Sequence, residues 1–300
     1  MDILLQDVRY AMRTLYRRPG FTLVAVLTLA IGIGANTAVF SVVHATLLRP
    51  FPFSEPERLL KISLTLPATE TRVGPPIDDM VWSYPKFETF RQYQKAFENV
   101  ALYAASDFNV AGMEEAERVS GEIVSAAYFP VLRIKAKLGR TFLPEEDAVP
   151  DTYYVAVLSH SLWVRRFGGD PGAIGKTVTL DNRPFSIVGV LPAGFSGLTA
   201  NAELWIPVMT YGANQLRQRW SHTFDLIARL KPGVYVSQAK KAVEVLGRQV
   251  DEAHPSPIPI GSWGAKARTL SDAGVDPAVK RSVLVLFGAV AFVLLIACVN

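Results

Sequence analysis

Cysteine is almost absent from this chain of 300 residues, because only Cys298, close to the last residue, is present. Residues 49–281 therefore contain no disulfide, whichever compartment they occupy, and their fold depends on a hydrophobic core alone. A strong excess of either charge is missing too, since the formal net charge is +4. No dense Lys/Arg patch with interleaved aromatic residues occurs, which excludes nucleic acid as a partner.

The motifs of common hydrolases and metal enzymes are also missing. The sequence contains neither H-E-x-x-H nor G-x-S-x-G, and Gly194-Phe195-Ser196-Gly197 lacks the spacing of a nucleophile elbow. Ser159 and His160 are adjacent, so their side chains diverge on most backbones. The histidines are scattered over positions 44, 160, 222 and 254 without a metal-ligand spacing. We therefore predict no catalytic, cofactor-binding or metal-ligating residue and no enzyme activity in this chain.

One glycine-rich segment, GDPGAIGKT from Gly169 to Thr177, superficially resembles a phosphate-binding loop. Such a loop requires G-x-x-x-x-G-K-[ST], and the position of its first glycine is taken by Asp170, whose carboxylate repels phosphate. The segment also leaves a predicted helix and enters a predicted strand, which is the reverse of the required order. It is interpreted as a turn that closes a strand.

Two further groups of residues are given structural interpretations. The acidic residues Glu114, Glu115 and Glu117 are interpreted as a solvated loop face. All the tryptophans fall in the middle of the chain and are interpreted mainly as core or interface residues, although some of them are candidates for a substrate or partner surface. These tryptophans are Trp82, Trp163, Trp205, Trp220 and Trp263.

Charged side chains are absent from two long apolar runs. Residues 21–48 form the first, and as a helix they would extend about 42 Å, enough to cross the hydrocarbon core of a bilayer. A soluble core helix rarely stays uncharged for so long, and a cleaved signal peptide, for which Val43-His44-Ala45 is a superficial cleavage site, has a shorter apolar region. Residues 282–299 form the second run. Because the chain stops on it without a polar flank, we expect a fragment with more helices to follow.

Small and polar residues occur within the first predicted span, in IGIGANTA. Gly32, Gly34 and Asn36 predict a surface that packs against other spans, while the alternative places Asn36 in water near one interface. Before this span, residues 1–18 predict an amphipathic leader helix with apolar side chains at helical spacing, broken by Pro19-Gly20. The leader carries four arginines, which the positive-inside rule places in the cytoplasm, although basic residues also follow the span. The arginines are Arg9, Arg13, Arg17 and Arg18.

The sequence predicts a chain built from a leader (1–18), a first transmembrane helix (19–48), an extracytoplasmic domain (49–281) and a second, truncated transmembrane helix (282–300). In the middle domain, two β-α-β units are predicted at about 57–111 and 223–271, with a mostly-β insertion at about 112–222, giving an α+β fold of the split αβ type. The predicted elements are strands at 59–66, 100–111, 154–158, 177–180, 185–190, 224–230 and 265–270, and helices at 84–99, 160–167 and 237–254.

Several stretches resemble MacB/FtsX-type permeases, particularly the large bacterial members with duplicated halves. The first span with its tail, LTLAIGIGANTAVFSVVHATLLRPFPF, is similar to the start of such permeases. The insertion resembles their periplasmic core domain in RVSGEIVSAAYFPVL (118–132), LGRTFLPEED (138–147), LWIPV (204–208) and the long stretch from Val155 to Phe195. LLIACVN at the end resembles their second span. The resemblance is collinear over nearly the whole chain.

The resemblance implies a permease subunit in the inner membrane that works with a separate ABC ATPase and with a second permease half or a second copy of itself. ATP-driven closure would be passed through long helices to the outer domain as mechanical motion, for export or efflux of substrates. The alternative is an FtsX-like scaffold that regulates an envelope protein without transporting a substrate. Lipid is the remaining predicted partner, and no cofactor is implied.

Overall fold

The computed structural model describes residues 10, 13, 16–43, 53–67, 75–112, 114–256, 261–273, 282, 285–289, 292 and 295, with some side chains inside the helices and strands left out. Most of the predicted leader helix over 1–18, the side chain of Asn36 and most of the predicted second span lie outside these residues. The chain divides into two compact units. One consists of residues 1–50 and 274–300, and the other, which we call the head, runs from Phe51 to Ala273.

The first unit contains a helix of 25 residues, α1, from Pro19 to Val43. The structure describes its whole backbone but only part of its side chains. Among the residues that are described, no helix satisfies the combined demands of length and apolarity for crossing a membrane.

The head contains eleven strands in one sheet, counted over the described residues. The strands are β1 (Leu59–Leu66), β2 (Ile77–Met80), β3 (Phe97–Gly112), β4 (Glu114–Val124), β5 (Leu138–Gly139), β6 (Val155–Leu158), β7 (Thr177–Leu180), β8 (Arg183–Val190), β9 (Leu204–Pro207), β10 (Asp225–Leu230) and β11 (Gly264–Thr269). The helices are α2 (Tyr84–Tyr93), α3 (Tyr128–Leu132), α4 (His160–Phe167), α5 (Ala213–Leu216), α6 (Val236–Ala253) and α7 (Leu270–Ala273).

Two interleaved β-α-β units form one half of this sheet, in the order β11-β1-β10-β3. β1 is followed by α2 and β3, and β10 by α6 and β11. Since β1 and β3 both run antiparallel to β10, they are parallel to one another with β10 between them. This arrangement is the split β-α-β topology predicted from the sequence. We call residues 59–103 and 225–269 the split half.

The predicted insertion does not form a sheet of its own. Strand β3 has 16 residues, about 50 Å of extended chain, and pairs with β10 only as far as Tyr103. From Tyr103 onward β3 pairs along its opposite edge with β4, and near its end it also pairs with β7 at Val110 and Ala111. From β4 the sheet continues through β9, β6, β8 and β5. Because an unpaired edge of that length would be open to pairing with other chains, residues 104–224, which we call the inserted half, extend the same sheet.

Both faces of the sheet are covered by apolar side chains. On one face α2 contributes Phe87 and Phe90, and α6 contributes Val243 and Leu246, to the larger buried cluster. On the other face the short helix α3 packs with Phe53 and Leu59 in a second cluster. With no disulfide in the head, these two layers supply the cohesion of the fold.

The element predictions are confirmed in kind, with some wrong boundaries. β1, β7 and α4 have the predicted limits. Helix α2 ends at Tyr93 rather than Asn99, and Phe97, which falls within the predicted helix, begins β3. Helix α6 begins one residue before Ser237, and its N-cap is Tyr235. The acidic stretch from Glu114, predicted as a loop, is the start of β4.

Candidate functional site

The chain enters and leaves the head side by side, at one end of the sheet. The entry segment, residues 53–58, leads into β1, and α7 follows β11. Leu59 pairs with Arg229 on one side of β1, and Leu60 pairs with Thr269 on the other. The short 3-10 helix Pro56–Arg58 contacts α7 directly. We call this end, where β1 and β3 begin and β10 and β11 finish, the entry end.

A buried arginine fastens the entry segment to the sheet. Arg229 on β10 is 1% exposed, and its Nε donates a hydrogen bond of 2.6 Å to the carbonyl oxygen of Val131. Its two Nη atoms donate to the carbonyl oxygens of Ser54 at 2.9 Å and Glu55 at 3.3 Å. Burial, and then the guanidinium groups of Arg133 and Arg58, lower the pKa of Arg229. One guanidinium thus joins β10, α3 and the incoming chain.

Glu55 and Glu98 surround this arginine with a network of ion pairs that we call the junction, made of Glu55, Arg58, Glu98, Arg133 and Arg229. Arg58 pairs with Glu55 at 2.9 Å and with Glu98 at 3.4 Å, and it donates to the carbonyl oxygen of Leu230 at 2.6 Å. Arg133 pairs with both glutamates, and Arg229 lies 3.8 Å from Glu55. Ion pairs that share partners in a network contribute more to stability than isolated surface pairs.

The backbone of Glu55 has an unfavourable conformation that the junction stabilises. Its φ of 51° lies in the left-handed region, which costs a residue other than glycine about 1 kcal/mol or more. Pro56 follows it in the first turn of the 3-10 helix, a position that suits proline. Three arginines held around its carboxylate and its carbonyl offset this cost and fix the direction in which the chain enters β1.

A second buried ionisable group, Glu122 on β4, holds a loop of the inserted half. Its carboxylate accepts hydrogen bonds from the Tyr128 hydroxyl at 2.5 Å, the Trp205 indole at 2.7 Å and the Thr199 amide at 2.8 Å. Burial raises the pKa of Glu122, while these donors oppose the shift. A Cβ at Gly197, where φ is +75°, would come within 2.4 Å of the carboxylate. Glu122 therefore positions the loop before β9.

A cleft of about 340 Å³ separates the two halves of the head. Tyr84, Pro85 and Glu88 of α2 form one wall, and residues 148–150 and 209–219 supply the other. Beside it lies Asp147, one oxygen of which, Oδ1, is buried without a hydrogen-bond partner among the described residues. Burial raises the pKa of Asp147 to about 6. The hydrogen bond from the Ala126 amide and the positive charge of Arg91 oppose this rise, whereas the negative charge of Glu88 adds to it.

A lysine of the split half lies in an aromatic box to which both halves of the head contribute. Lys86 of α2 is fully buried, with its Nζ 4.1 Å from the ring of Trp263 and 4.7 Å from that of Trp220. Its Nζ is also 3.3 Å from Nε2 of His222. Burial lowers the pKa of Lys86 to about 8, and burial together with Lys86 lowers that of His222 to about 4. This cluster ties α2 to the segments before β10 and β11.

The residues weighed in the sequence are placed as follows. Trp82 and Trp205 are fully buried, and Trp163 and Trp263 nearly so, while Trp220 is 39% exposed. Ser159 caps α4 and His160 lies beside Lys137, so the two do not form a pair. Asp170 caps a 3-10 turn and pairs with Lys176, in agreement with a structural role for the glycine-rich segment. His44 lies outside the described residues.

Sequence reasoning missed the junction and Glu122. The signal was a charged residue inside an otherwise apolar strand, Arg229 in DLIARL and Glu122 in GEIV. A buried charge must be paired or hydrogen-bonded, so such a residue has partners. The partners of Arg229 are backbone carbonyl oxygens of residues 54, 55 and 131. These residues are far from Arg229 in sequence, so no local sequence pattern predicts the contacts.

Substitution of Arg229 by alanine tests how much the junction contributes to stability. The change leaves the carbonyl oxygens of Val131 and Ser54 without their donor in a buried site. We expect a loss of about 3 kcal/mol in the free energy of unfolding, measured by denaturant titration. The control is Arg118→Ala, which removes a single pair from a side chain that is 75% exposed and is expected to change stability by less than about 0.5 kcal/mol. Equal effects of the two changes would contradict the role of Arg229.

Substitution of Asp147 by asparagine is expected to stabilise the protein, depending on pH. The folded state holds the proton of Asp147 up to a pH of about 6, whereas the unfolded state releases it near 3.8. Stability therefore falls as pH rises from about 4 to 6, and the penalty is fully present above 6. Asp147→Asn should raise the free energy of unfolding by roughly 1–3 kcal/mol at pH 7.5 and leave it nearly unchanged at pH 4.

Asp107 provides the control of opposite sign. Hydrogen bonds from Ser120 and Arg118 lower its pKa, so Asp107→Asn should not stabilise the protein at pH 7.5. If Asp147→Asn destabilised the protein at that pH, a stability cost from the buried carboxylate of Asp147 would be excluded.

The comparisons with known proteins agree with this architecture. Residues 22–246 match the model of the MacB-like periplasmic core domain. The chain is 30% identical over 130 residues to the macrolide export ATP-binding/permease protein MacB of Burkholderia thailandensis. That match covers 43% of this chain and 19% of the relative, so the chain corresponds to only part of the relative's length.

Two solved structures have the same fold. A domain of a permease protein from Porphyromonas gingivalis superposes with a TM-score of 0.56 at 15% identity, over 73% of this chain and 92% of that one. The periplasmic region of MacB from Actinobacillus actinomycetemcomitans gives 0.50 at 18% identity, over 72% and 90%. Together with the family model, which matches three quarters of the sequence, they lead to one conclusion: the chain belongs to the family that carries the MacB-like periplasmic core domain.

Proposed function

We propose that this chain is the permease part of an ABC-type transporter of the inner membrane. In this proposal the uncharged runs 21–48 and 282–299 cross the bilayer, and residues 49–281, which include the head, lie outside the cytoplasm. ATP is hydrolysed by an ATPase subunit or domain outside residues 1–300, and two permease halves, or two copies of this chain, work together. The membership of the family supports the proposal, as do the names of its relatives, which are ATP-binding/permease proteins.

The surface of α1 supports the membrane assignment. Five of its large apolar side chains are more than half exposed: Leu23, Val24, Val26, Leu27 and Ile33. Exposure of so much apolar area to water is unfavourable, at about 25 cal/mol per Å². The same surface is stable in contact with the hydrocarbon core of a membrane. The four arginines of residues 9–18 favour a cytoplasmic N-terminus. The head then lies on the far side of the membrane.

The junction is the observation that carries the mechanical part of the proposal. Force arriving along the first span reaches the head through residues 53–58, and Arg229 binds this segment to β10 and α3. From there β3, which is shared by both halves of the sheet, continues into the inserted half. In this proposal a displacement of the first span therefore moves the whole head, because no loose linker absorbs it. The movement of the head drives export of substrate.

A linker insertion tests this path. A flexible Gly/Ser linker between residues 52 and 53 should uncouple the head, because slack in the chain separates the movement of the span from the junction. The reporter is an environment-sensitive dye at Thr152→Cys, beside the cleft, in a Cys298→Ser background. The complex with its ATPase is purified from native membranes. ATP should shift the fluorescence of the unmodified complex and not that of the insertion variant, whose ATPase rate is retained.

The matched control carries the same linker at residue 113, between β3 and β4, which lies off the proposed path. It should respond to ATP as the unmodified complex does. A response that survives the insertion at residue 52 would contradict mechanical transmission through the junction. Failure to recover any ATPase with the chain would contradict the transporter assignment, and an intact response without any exported substrate would favour the FtsX-like alternative.

A further inference from the structure

Basic and aromatic side chains form a rim around the entry end of the head. The backbone amide of Lys231 donates to the carbonyl oxygen of Ala96 at 3.0 Å, which brings Lys231 next to Lys95. Helix α2 ends at Tyr93 and α6 begins after Tyr235, so both tyrosines lie at this end as well. Lys135 follows Arg133 of the junction by two residues. We call Tyr93, Lys95, Lys135, Lys231 and Tyr235 the basic rim.

The charge of the basic rim is not neutralised within the head. In the part of the chain that the structure describes, the three rim lysines form no ion pair, and all three are exposed. Three arginines of the junction add to the positive charge. The described residues place four carboxylates at this end. Glu55 and Glu98 are each paired with at least two arginines, Asp272 is hydrogen-bonded to Thr269, and among these four only Glu57 has no ion pair or hydrogen bond with another described side chain. The entry end therefore carries an excess of positive charge.

The two rim tyrosines are unusually exposed. Tyr235 is 73% exposed and Tyr93 is 54% exposed, although each has a ring large enough to contribute to a core. Tyrosine and lysine together are typical of surfaces at a membrane interface, where the ring or the aliphatic stem lies near the acyl chains and the polar tip reaches the headgroups.

The length of the chain limits how far the rim can lie from the first uncharged run. Only residues 49–52 separate Leu48 from Phe53, and five extended steps reach at most about 18 Å. On the exit side, nine steps connect Ala273 to Ser282, which is at most about 32 Å. If the two runs cross the bilayer, the entry end lies within reach of the headgroups.

We propose that the basic rim docks on anionic lipid headgroups at the outer surface of the membrane, an inference that rests on the membrane topology proposed above. The lysine ammonium groups meet the lipid phosphates, and Tyr93 and Tyr235 insert between headgroups. The docked rim is a pivot: when the first span moves, the head tilts about this edge instead of lifting from the membrane. The partner is thus the lipid surface itself.

The test uses the chain in nanodiscs, with a dye at Ser237→Cys next to the rim, in a Cys298→Ser background, and a quencher on the lipid headgroups. A second labelled chain carries the dye at Arg118→Cys, about 40 Å further along the sheet, since Arg118 pairs with Asn109 twelve residues after Phe97. With phosphatidylglycerol present, the dye at position 237 should be strongly quenched and the dye at position 118 should not. With phosphatidylcholine alone, quenching at position 237 should weaken.

The variant Lys95→Gln, Lys135→Gln, Lys231→Gln should reduce the ratio of docked to undocked head by about fivefold per lysine in anionic nanodiscs, roughly 100-fold together. The matched control, Arg217→Gln, Arg219→Gln, Arg248→Gln, loses the same charge from exposed positions away from the entry end and should change the ratio less than about twofold. Quenching that is equal in both lipids, or unchanged in the rim variant, would overturn the proposal.

An error in the proposed membrane topology can be distinguished from an error in the docking of the rim. If the chain did not enter nanodiscs, or if a membrane-impermeant thiol reagent failed to reach Ser237→Cys on intact spheroplasts, the membrane assignment itself would be wrong. If the chain inserted and the cysteine were accessible, but the rim variant behaved as the control, only the docking of the rim would be rejected.

Discussion

A buried guanidinium cannot remain without partners, and much of the organisation of the head follows from how Arg229 is satisfied. Its donors require three carbonyl oxygens, and these come from the entry segment and from α3. The requirement places residues 53–58 against the sheet and holds Glu55 in a left-handed conformation that it would not adopt by itself. What would otherwise be a loose segment leading into the head thereby becomes part of the packed core.

The length of β3 has a comparable effect on the rest of the head. Because one strand pairs with β10 over its first part and with β4 over its second, the split half and the inserted half share a continuous backbone ladder. The cleft between α2 and the loops of the inserted half lies across this connection, and Asp147 beside it is held at a cost to stability. A strand shared by both halves thus runs next to a cleft, beside which one carboxylate oxygen of Asp147 has no hydrogen-bond partner among the described residues.

Much of the fold could be predicted from the sequence because its signals are local. LLKISLTL and HSLWVRRF contain the strand and helix periodicities within themselves, and β1 and α4 have the predicted bounds. The end of α2 was placed too late because Phe97 continues the helical spacing of Phe87, Phe90 and Tyr93, while tertiary pairing with Leu230 makes it a strand residue. The predicted helix 237–254 starts at a serine, a residue type favoured at helix starts. The helix instead begins at Val236, and the Gln238 side chain accepts the Tyr235 amide hydrogen.

The candidate site was less predictable, because it is made of contacts between residues far apart in sequence. Arg229 meets residues 175 and 98 positions away, and Glu122 meets Thr199 and Trp205. The sequence indicates only that a charge interrupts an apolar strand, and not which backbone satisfies it. The strand and helix patterns predicted the split architecture, whereas the junction and the basic rim emerge from the way the split units bring the ends of β1, β3, β10 and β11 together.

Hydrogen exchange at the entry segment tests the central claim most directly, since the claim is that residues 53–58 belong to the core. Within the junction, the backbone amide of Arg58 donates a hydrogen bond to the carbonyl oxygen of Glu55. Its exchange should be limited by the same global opening that exposes the amides of β1 and β10, with a similar free energy of opening. Exchange of Arg58 at the rate of a frayed linker, while β1 and β10 stay protected, would contradict the account.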